Sequence, residues 1–138
     1  MFVSIISAIE TILLTVPEIQ EVHDFDKGKF AGYPSAVIFP TENTADFETT
    51  TQNLVEYVFT IRLHHPMENM GSDSHKNADR ILRETVDKVL IAFNGNFSLN
   101  STVSFCKALP STWGYQQRDT GILRVAEIKL NCVQLETV

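Results

Sequence analysis

The sequence predicts an α+β domain: a mainly antiparallel sheet, two amphipathic helices packed on one face of it, and a long extended polar arm between two strands. Three observations carry this. Apolar residues recur first at helical spacing, then in alternation, then at helical spacing, then in alternation again, which gives the order helix, strands, helix, strands. From Val55 to His64 the residues alternate, with Val58 the one apolar side chain on the second face, as in a strand with one packed face and one largely wet face. Between them, Pro40 to Asn53 holds five threonines, six other polar residues and a single large apolar side chain, Phe47. That stretch is too long for a tight hairpin loop and too polar for a core, so it reads as an excursion suited to gripping a neighbour.

The elements follow in order. Phe2, Ile5, Ile6, Ile9, Ile12, Leu13 and Val16 mark a first helix that Pro17 stops, with Ser4, Ser7, Glu10 and Thr11 on its other face. Ile19 to Phe25 reads as a short strand and Asp26 to Gly32 as a loop. Ala36 to Phe39 is a compact apolar strand leading into the arm. In the next strand Val55, Tyr57, Phe59, Ile61 and Leu63 alternate with Glu56, Val58, Thr60, Arg62 and His64, and Pro66 ends it. His65 to Asp73 is a loop. A second helix carries the stripe Ala78, Ile81, Leu82, Thr85, Val86, Val89, Leu90 and Phe93; Ser72, Asp73 or Ser74 caps its start and Asn94-Gly95 stops it. Asp79 with Arg83 and Glu84 with Lys88 are spaced for favourable pairs on its surface. Strands then span Val103 to Lys107, Trp113 to Gln117 and Ile122 to Val133, the last two flanking the turn Arg118-Asp119-Thr120-Gly121.

Length and composition bound the possibilities. One domain, residues 1–138, accounts for the chain, and a domain of this size buries roughly two-thirds of the surface exposed when unfolded. With 43% apolar and 20% charged residues it can build its own core without a metal or disulfide staple. A net charge of -6 disfavours wrapping a nucleic acid, whose affinity comes from clustered Lys and Arg. The apolar start lacks a basic leading region and carries Glu10, so it reads as neither a signal peptide nor a membrane span, and the protein as cytosolic. Cys106 and Cys132 fall in strands without metal-like spacing and read as reduced, buried small hydrophobes, a disulfide between paired strands being the lesser alternative.

No catalytic constellation stands out. His64, His65 and His75, with Glu68 and Asp73 between them, form the only metal-like cluster, but adjacent histidines on a strand point to opposite faces, and solvated loop histidines are the preferred reading. Cys106 has no neighbour that would activate a thiol. Gly28 and Gly32 lack the helix that would make their loop a phosphate cradle. Asp24 with Asp26, and Asp46 with Glu48, read as solvated acids. Trp113 and Tyr115 beside Gln116, Gln117 and Arg118 either fill the end of the core or form a grip for a partner, because Trp, Tyr and Arg are enriched where proteins bind each other.

Taken together, several stretches resemble the tail terminator proteins of long-tailed bacteriophages and the related neck and tail-completion proteins. They are the opening helix, Gly32-Tyr33-Pro34-Ser35-Ala36-Val37-Ile38, the acidic and threonine-rich Glu42 to Asn53, Tyr57-Val58-Phe59-Thr60-Ile61, Ala78-Asp79-Arg80-Ile81-Leu82, Trp113-Gly114-Tyr115 and Arg124-Val125-Ala126-Glu127. The resemblance covers nearly the whole chain and lies in layout rather than in one diagnostic motif. It implies a structural virion protein of the tail neck, assembled in the host cytoplasm, with no catalysis and no cofactor. Its copies would close into a ring, in that family a hexamer, which caps the tail tube protein, ends tube polymerisation and joins the head connector and neck proteins, DNA passing transiently through the channel.

A ring needs unlike patches on each subunit. On this reading the arm residues Glu42, Asn43, Thr44, Asp46, Phe47, Glu48, Thr49, Thr50 and Thr51 make subunit contacts. The loop residues His64, His65, Met67 and Glu68 and the hairpin residues Trp113, Tyr115, Gln117, Arg118 and Asp119 face the tube or the head. A head-completion protein sealing the connector, a small metal- or ligand-binding enzyme using the histidine loop, and a host protein that dimerises through its sheet are the alternatives.

Overall fold

At the centre of the sheet lies the strand Gln52–Pro66, β3, bonded along its length on both sides. The computed structural model describes residues 2–25, 30, 32–47, 52–67, 72–118 and 121–137. Along the chain run α1 (Phe2–Leu13), β1 (Glu21–His23), β2 (Ser35–Phe47), β3 (Gln52–Pro66), α2 (Ser72–Asn94), β4 (Phe105–Arg118) and β5 (Gly121–Thr137). The strands form one sheet in the order β1-β2-β3-β5-β4. The β2–β3, β3–β5 and β4–β5 ladders are antiparallel, whereas β1 runs parallel to β2, so the α+β expectation holds with a mixed sheet.

The alternation read from β3 sets the core. Val55, Tyr57, Phe59, Ile61 and Leu63 join Ile128, Leu130 and Cys132 of β5, Ile5, Ile9 and Leu13 of α1, and Leu82, Val86, Val89 and Phe93 of α2 in one buried cluster. Each fully buried Ile, Leu or Phe side chain contributes roughly 1.5–3 kcal/mol through loss of contact with water. Phe2 lays its ring edge-on to Tyr57 at 5.0 Å, which ties the start of α1 to the sheet.

The other face of β3, expected to be largely wet, is not. Val58, Thr60 and His64 are buried there. β3 is the middle strand, so long side chains close over it from its surroundings: the Arg62 guanidinium lies 5.0 Å from the centre of the Phe39 ring, and Phe30 stacks on His64 at 5.2 Å. Thr41 and Thr60 hydroxyls bond at 2.7 Å on the same side.

The polar stretch after Pro40 is likewise strand where the structure describes it. Past a bulge between Pro40 and Glu42, β2 continues in register from Glu42↔Val58 to Phe47↔Asn53. Threonine is β-branched and accepts the pleat, and β5 pairs the far side of the same hairpin from Gln52↔Thr137 onward, so this length of arm is held on a ladder instead of leaving the body. Glu48, Thr49, Thr50 and Thr51 lie outside the described residues.

β4 runs unbroken through Pro110, where the sequence suggests two separate strands. It is an edge strand, where an N–H on the open side has no ladder bond to lose, and a bulge between Pro110 and Trp113 absorbs the irregularity. Gly121 closes the β4–β5 turn at φ 126, a backbone conformation that disfavours any side chain.

The surface pairs of α2 also differ from their spacing. Asp79 leaves Arg83, which donates instead to the Asp79 backbone carbonyl, and takes Arg124 of β5. Glu84 pairs with Arg80 at 3.8 Å, and Lys88 pairs with Glu18 from the segment that follows α1. Beyond α2, Leu99, Asn100 and Ser101 all adopt positive φ. The buried Leu99 side chain and the Asn96 side-chain bonds to Asn100 hold that left-handed run.

Candidate functional site

Sheet edges are where this architecture leaves bonding capacity. Among the described residues, β4 has no strand on its outer side, and β1 covers only Ser35, Ala36 and Val37 of β2, leaving Ile38 to Phe47 without an outer strand partner. An open edge presents a row of backbone donors and acceptors to another chain. The two open edges are unlike. As sequences, β2 holds Glu42 and Asp46 and no Lys or Arg, and β4 holds Lys107 and Arg118 and no Asp or Glu.

Large apolar side chains are exposed on both faces of the β4 edge, Phe105 and Leu109 on one and Trp113 and Tyr115 on the other. Phe105, Leu109, Trp113 and Tyr115 of β4 and Leu135 of β5 are all exposed, with Trp113 at 40% and Tyr115 at 54%. Phe25 is exposed near the opposite edge, where it shares a concavity with Val37, Phe39, Arg62 and His64. Arg62 also stands 3.7 Å from Glu127, an ion pair between directly opposed residues of β3 and β5.

The tip of the β4–β5 hairpin is fixed by one arginine. Arg124 Nε donates to Asp79 Oδ1 at 2.5 Å and Nη1 donates to the Gly114 carbonyl at 2.8 Å. The same guanidinium lies 4.5 Å from the Tyr115 ring centre and 5.6 Å from that of Trp113. Trp113 and Tyr115 are therefore neither core fillers nor free rotors; they are exposed and held in place by a cation.

The predicted partner-facing residues divide. Trp113, Tyr115 and Gln117 are exposed on β4, and Arg118 ends that strand. His64 and Met67 are corrections: His64 lies within β3 with 0% exposure and Met67 is buried at 7%, so neither side chain meets solvent. The pleat sends His64 under Phe30, and the Met67 N–H bonds the Ile122 carbonyl at 3.0 Å, which draws that residue against the sheet. Glu68 and Asp119 fall outside the described residues. Glu42, Asn43, Thr44, Asp46 and Phe47 sit in β2 along its open edge.

His65 is half-buried, its Nδ1 2.8 Å from the Pro66 carbonyl oxygen. Burial pushes its pKa below the ordinary 6.5, and the carbonyl pulls more weakly the other way. The unfolded chain then takes up this proton first as pH falls, so the stabilisation is complete above about 6.5 and is lost from there down to the depressed folded-state value. In denaturant titrations across this range, His65→Gln is expected to lose less stability on acidification than the unaltered chain; parallel pH profiles would overturn the assignment.

Among the described residues no three His, Cys, Asp or Glu side chains converge as metal ligands would, and no helix is long and apolar enough to cross a membrane. Cys106 and Cys132 face each other across β4 and β5 as free, buried thiols, and burial pushes the Cys106 pKa up to about 11 and that of Cys132 higher still. Neither is an activated nucleophile.

Sequence reasoning missed Arg124, Asp79, Phe105 and Leu109 as site residues. Phe105 and Leu109 are recoverable from the alternation Phe105, Lys107, Leu109 once the strand is continued through Pro110. The Arg124–Asp79 bond joins residues 45 apart and leaves no local signal. Compared with models of known protein families and with curated proteins, the chain matches none.

Proposed function

We propose that this protein is a structural subunit of a phage tail neck, a tail terminator whose copies close into a ring and which makes and breaks no covalent bond. The ring caps the tail tube, ends its polymerisation and offers the head connector and neck proteins a joining surface, with DNA passing through the channel. The observation that carries the reading is the pair of unlike open edges on one sheet, β2 acidic and β4 basic. Self-complementary patches give closed pairs, whereas two different patches on one subunit give rings or filaments. The resemblance in layout to tail terminators supplies the phage setting, and the exposed, clamped Trp113 and Tyr115 supply aromatic contacts of the kind that dominate binding.

Electron microscopy of the purified chain, alone and mixed with tail tubes, tests this. Rings seated on the last tube layer are expected; monomers under both conditions would reject it. Deleting Thr44 to Thr51 removes the end of the β2–β3 pairing and leaves Tyr57 to Leu63 and their β2 partners Asn43 to Ala36 in place. That variant is expected to stay folded by circular dichroism and to lose ring assembly. Tubes stopping at normal length with it would remove the arm from the mechanism. A neck protein sealing the connector is distinguished by the same images, since it would sit on the connector and not on the tube.

A further inference from the structure

We infer that the ring is closed by a shared β-ladder in which Glu42 to Phe47 of one copy pairs antiparallel with Trp113 to Arg118 of the next, so that the sheet continues from subunit to subunit. The inference rests on the reading that copies assemble into a ring and names the joint. Both segments are what remains of each open edge beyond its irregularity. β2 is bulged between Pro40 and Glu42 and runs regularly to Phe47, and β4 is bulged between Pro110 and Trp113 and runs regularly to Arg118. Each run is six residues, 42 to 47 and 113 to 118, a ladder of roughly 20 Å.

Direction agrees. β2 and β3, β3 and β5, and β5 and β4 are each antiparallel, so β4 runs opposite to β2 within one subunit. Rotation about an axis parallel to the strands preserves their direction, and β4 of one copy therefore meets β2 of the next antiparallel, the more stable pairing. Such a joint is heterologous and can close by rotation.

Register agrees as well. Aligning the two runs end to end places Trp113 opposite Phe47, Tyr115 opposite Ala45, Gln117 opposite Asn43 and Arg118 opposite Glu42. Residues opposite one another in a ladder share a face of the sheet. Trp113 is in register with Ala126 of the core cluster, and Asn43 and Ala45 are in register with Tyr57 and Val55 of the same cluster, so the alignment keeps the faces matched. A one-residue slip would reverse every face. The alignment also brings an aromatic pair to one end and opposite charges to the other, with no like charges at opposed positions.

The test uses the full chain and its mass in solution by sedimentation. Arg118→Glu sets two carboxylates across the joint, and Glu42→Arg sets two guanidinium groups across it; each variant alone is expected to weaken assembly at low salt at least about tenfold. The double variant E42R/R118E restores opposite charges at every joint and is expected to recover assembly. Oxidation of Asn43→Cys with Gln117→Cys is expected to give covalent multimers of the chain, and Thr44→Cys with Gln117→Cys, on opposite faces, is not. If the unaltered chain assembles but charge reversal, its repair and cross-linking leave the mass pattern unmoved, the joint lies elsewhere and the ring reading stands. If the unaltered chain is a monomer at every concentration and with tail tubes, the ring reading and the joint fall together.

Discussion

Phe59→Ala is expected to cost about 3–5 kcal/mol of folding stability, a large share of the roughly 5–15 kcal/mol that holds a single domain together. Phe59 is 0% exposed, on the central strand, on the face that both helices supply with side chains. Its ring meets Phe2 of α1 at 5.9 Å, so truncation opens a void at the joint between helix and sheet as well as removing apolar area. Urea denaturation followed by circular dichroism should show the midpoint fall by about 2 M, taking a slope near roughly 2 kcal/mol/M. Phe59→Leu, which keeps most of the volume, should cost about 1–1.5 kcal/mol. A loss under about 1 kcal/mol for the alanine variant would mean that the surrounding side chains collapse into the space, contrary to a close-packed core.

Arg124→Ala is the second. It removes the bond to Asp79, the bond to the Gly114 carbonyl and the cation lying over Tyr115 and Trp113. Both charged partners are partly exposed, at 14% and 27% of their side chains, so the loss is set below that of a fully buried pair, at about 2–3 kcal/mol. A double-mutant cycle with Asp79→Ala isolates the pair: a coupling of about 1 kcal/mol or more is expected. Simple additivity would show that the two side chains act independently. The fluorescence of Trp113, the sole tryptophan, supplies a local readout, since release from Arg124 frees the indole without unfolding the core.

The parts of this fold legible in the sequence are those set by local periodicity. Val55 to Leu63 alternates because each second residue meets the helices, and the stripe from Ala78 to Phe93 marks the face of α2 that closes on them. What escaped was decided by neighbours distant along the chain. The Glu42 to Phe47 stretch has a loop's composition, and only pairing with β3 makes it a strand. His64 reads as a wet loop residue until Phe30 is laid over it. Pro110 reads as a break because sequence does not reveal that its strand lies at an edge. The aromatic pair Trp113 and Tyr115 was visible, and Arg124 holding them was not, since the contact exists only after the hairpin has closed.

One topological fact shapes how the molecule must be made. β5 follows β4 along the chain yet lies between β4 and β3. During synthesis, a ribosome that has produced everything up to the β4–β5 turn has made a half-built sheet: β3 lacks a companion on one flank and β4 has nowhere to attach. Completion waits for the closing strand to thread into the gap, and until then a nascent chain displays two bare flanks to its surroundings. Polypeptides cut short in that strand should accordingly be prime clients for chaperones and proteases.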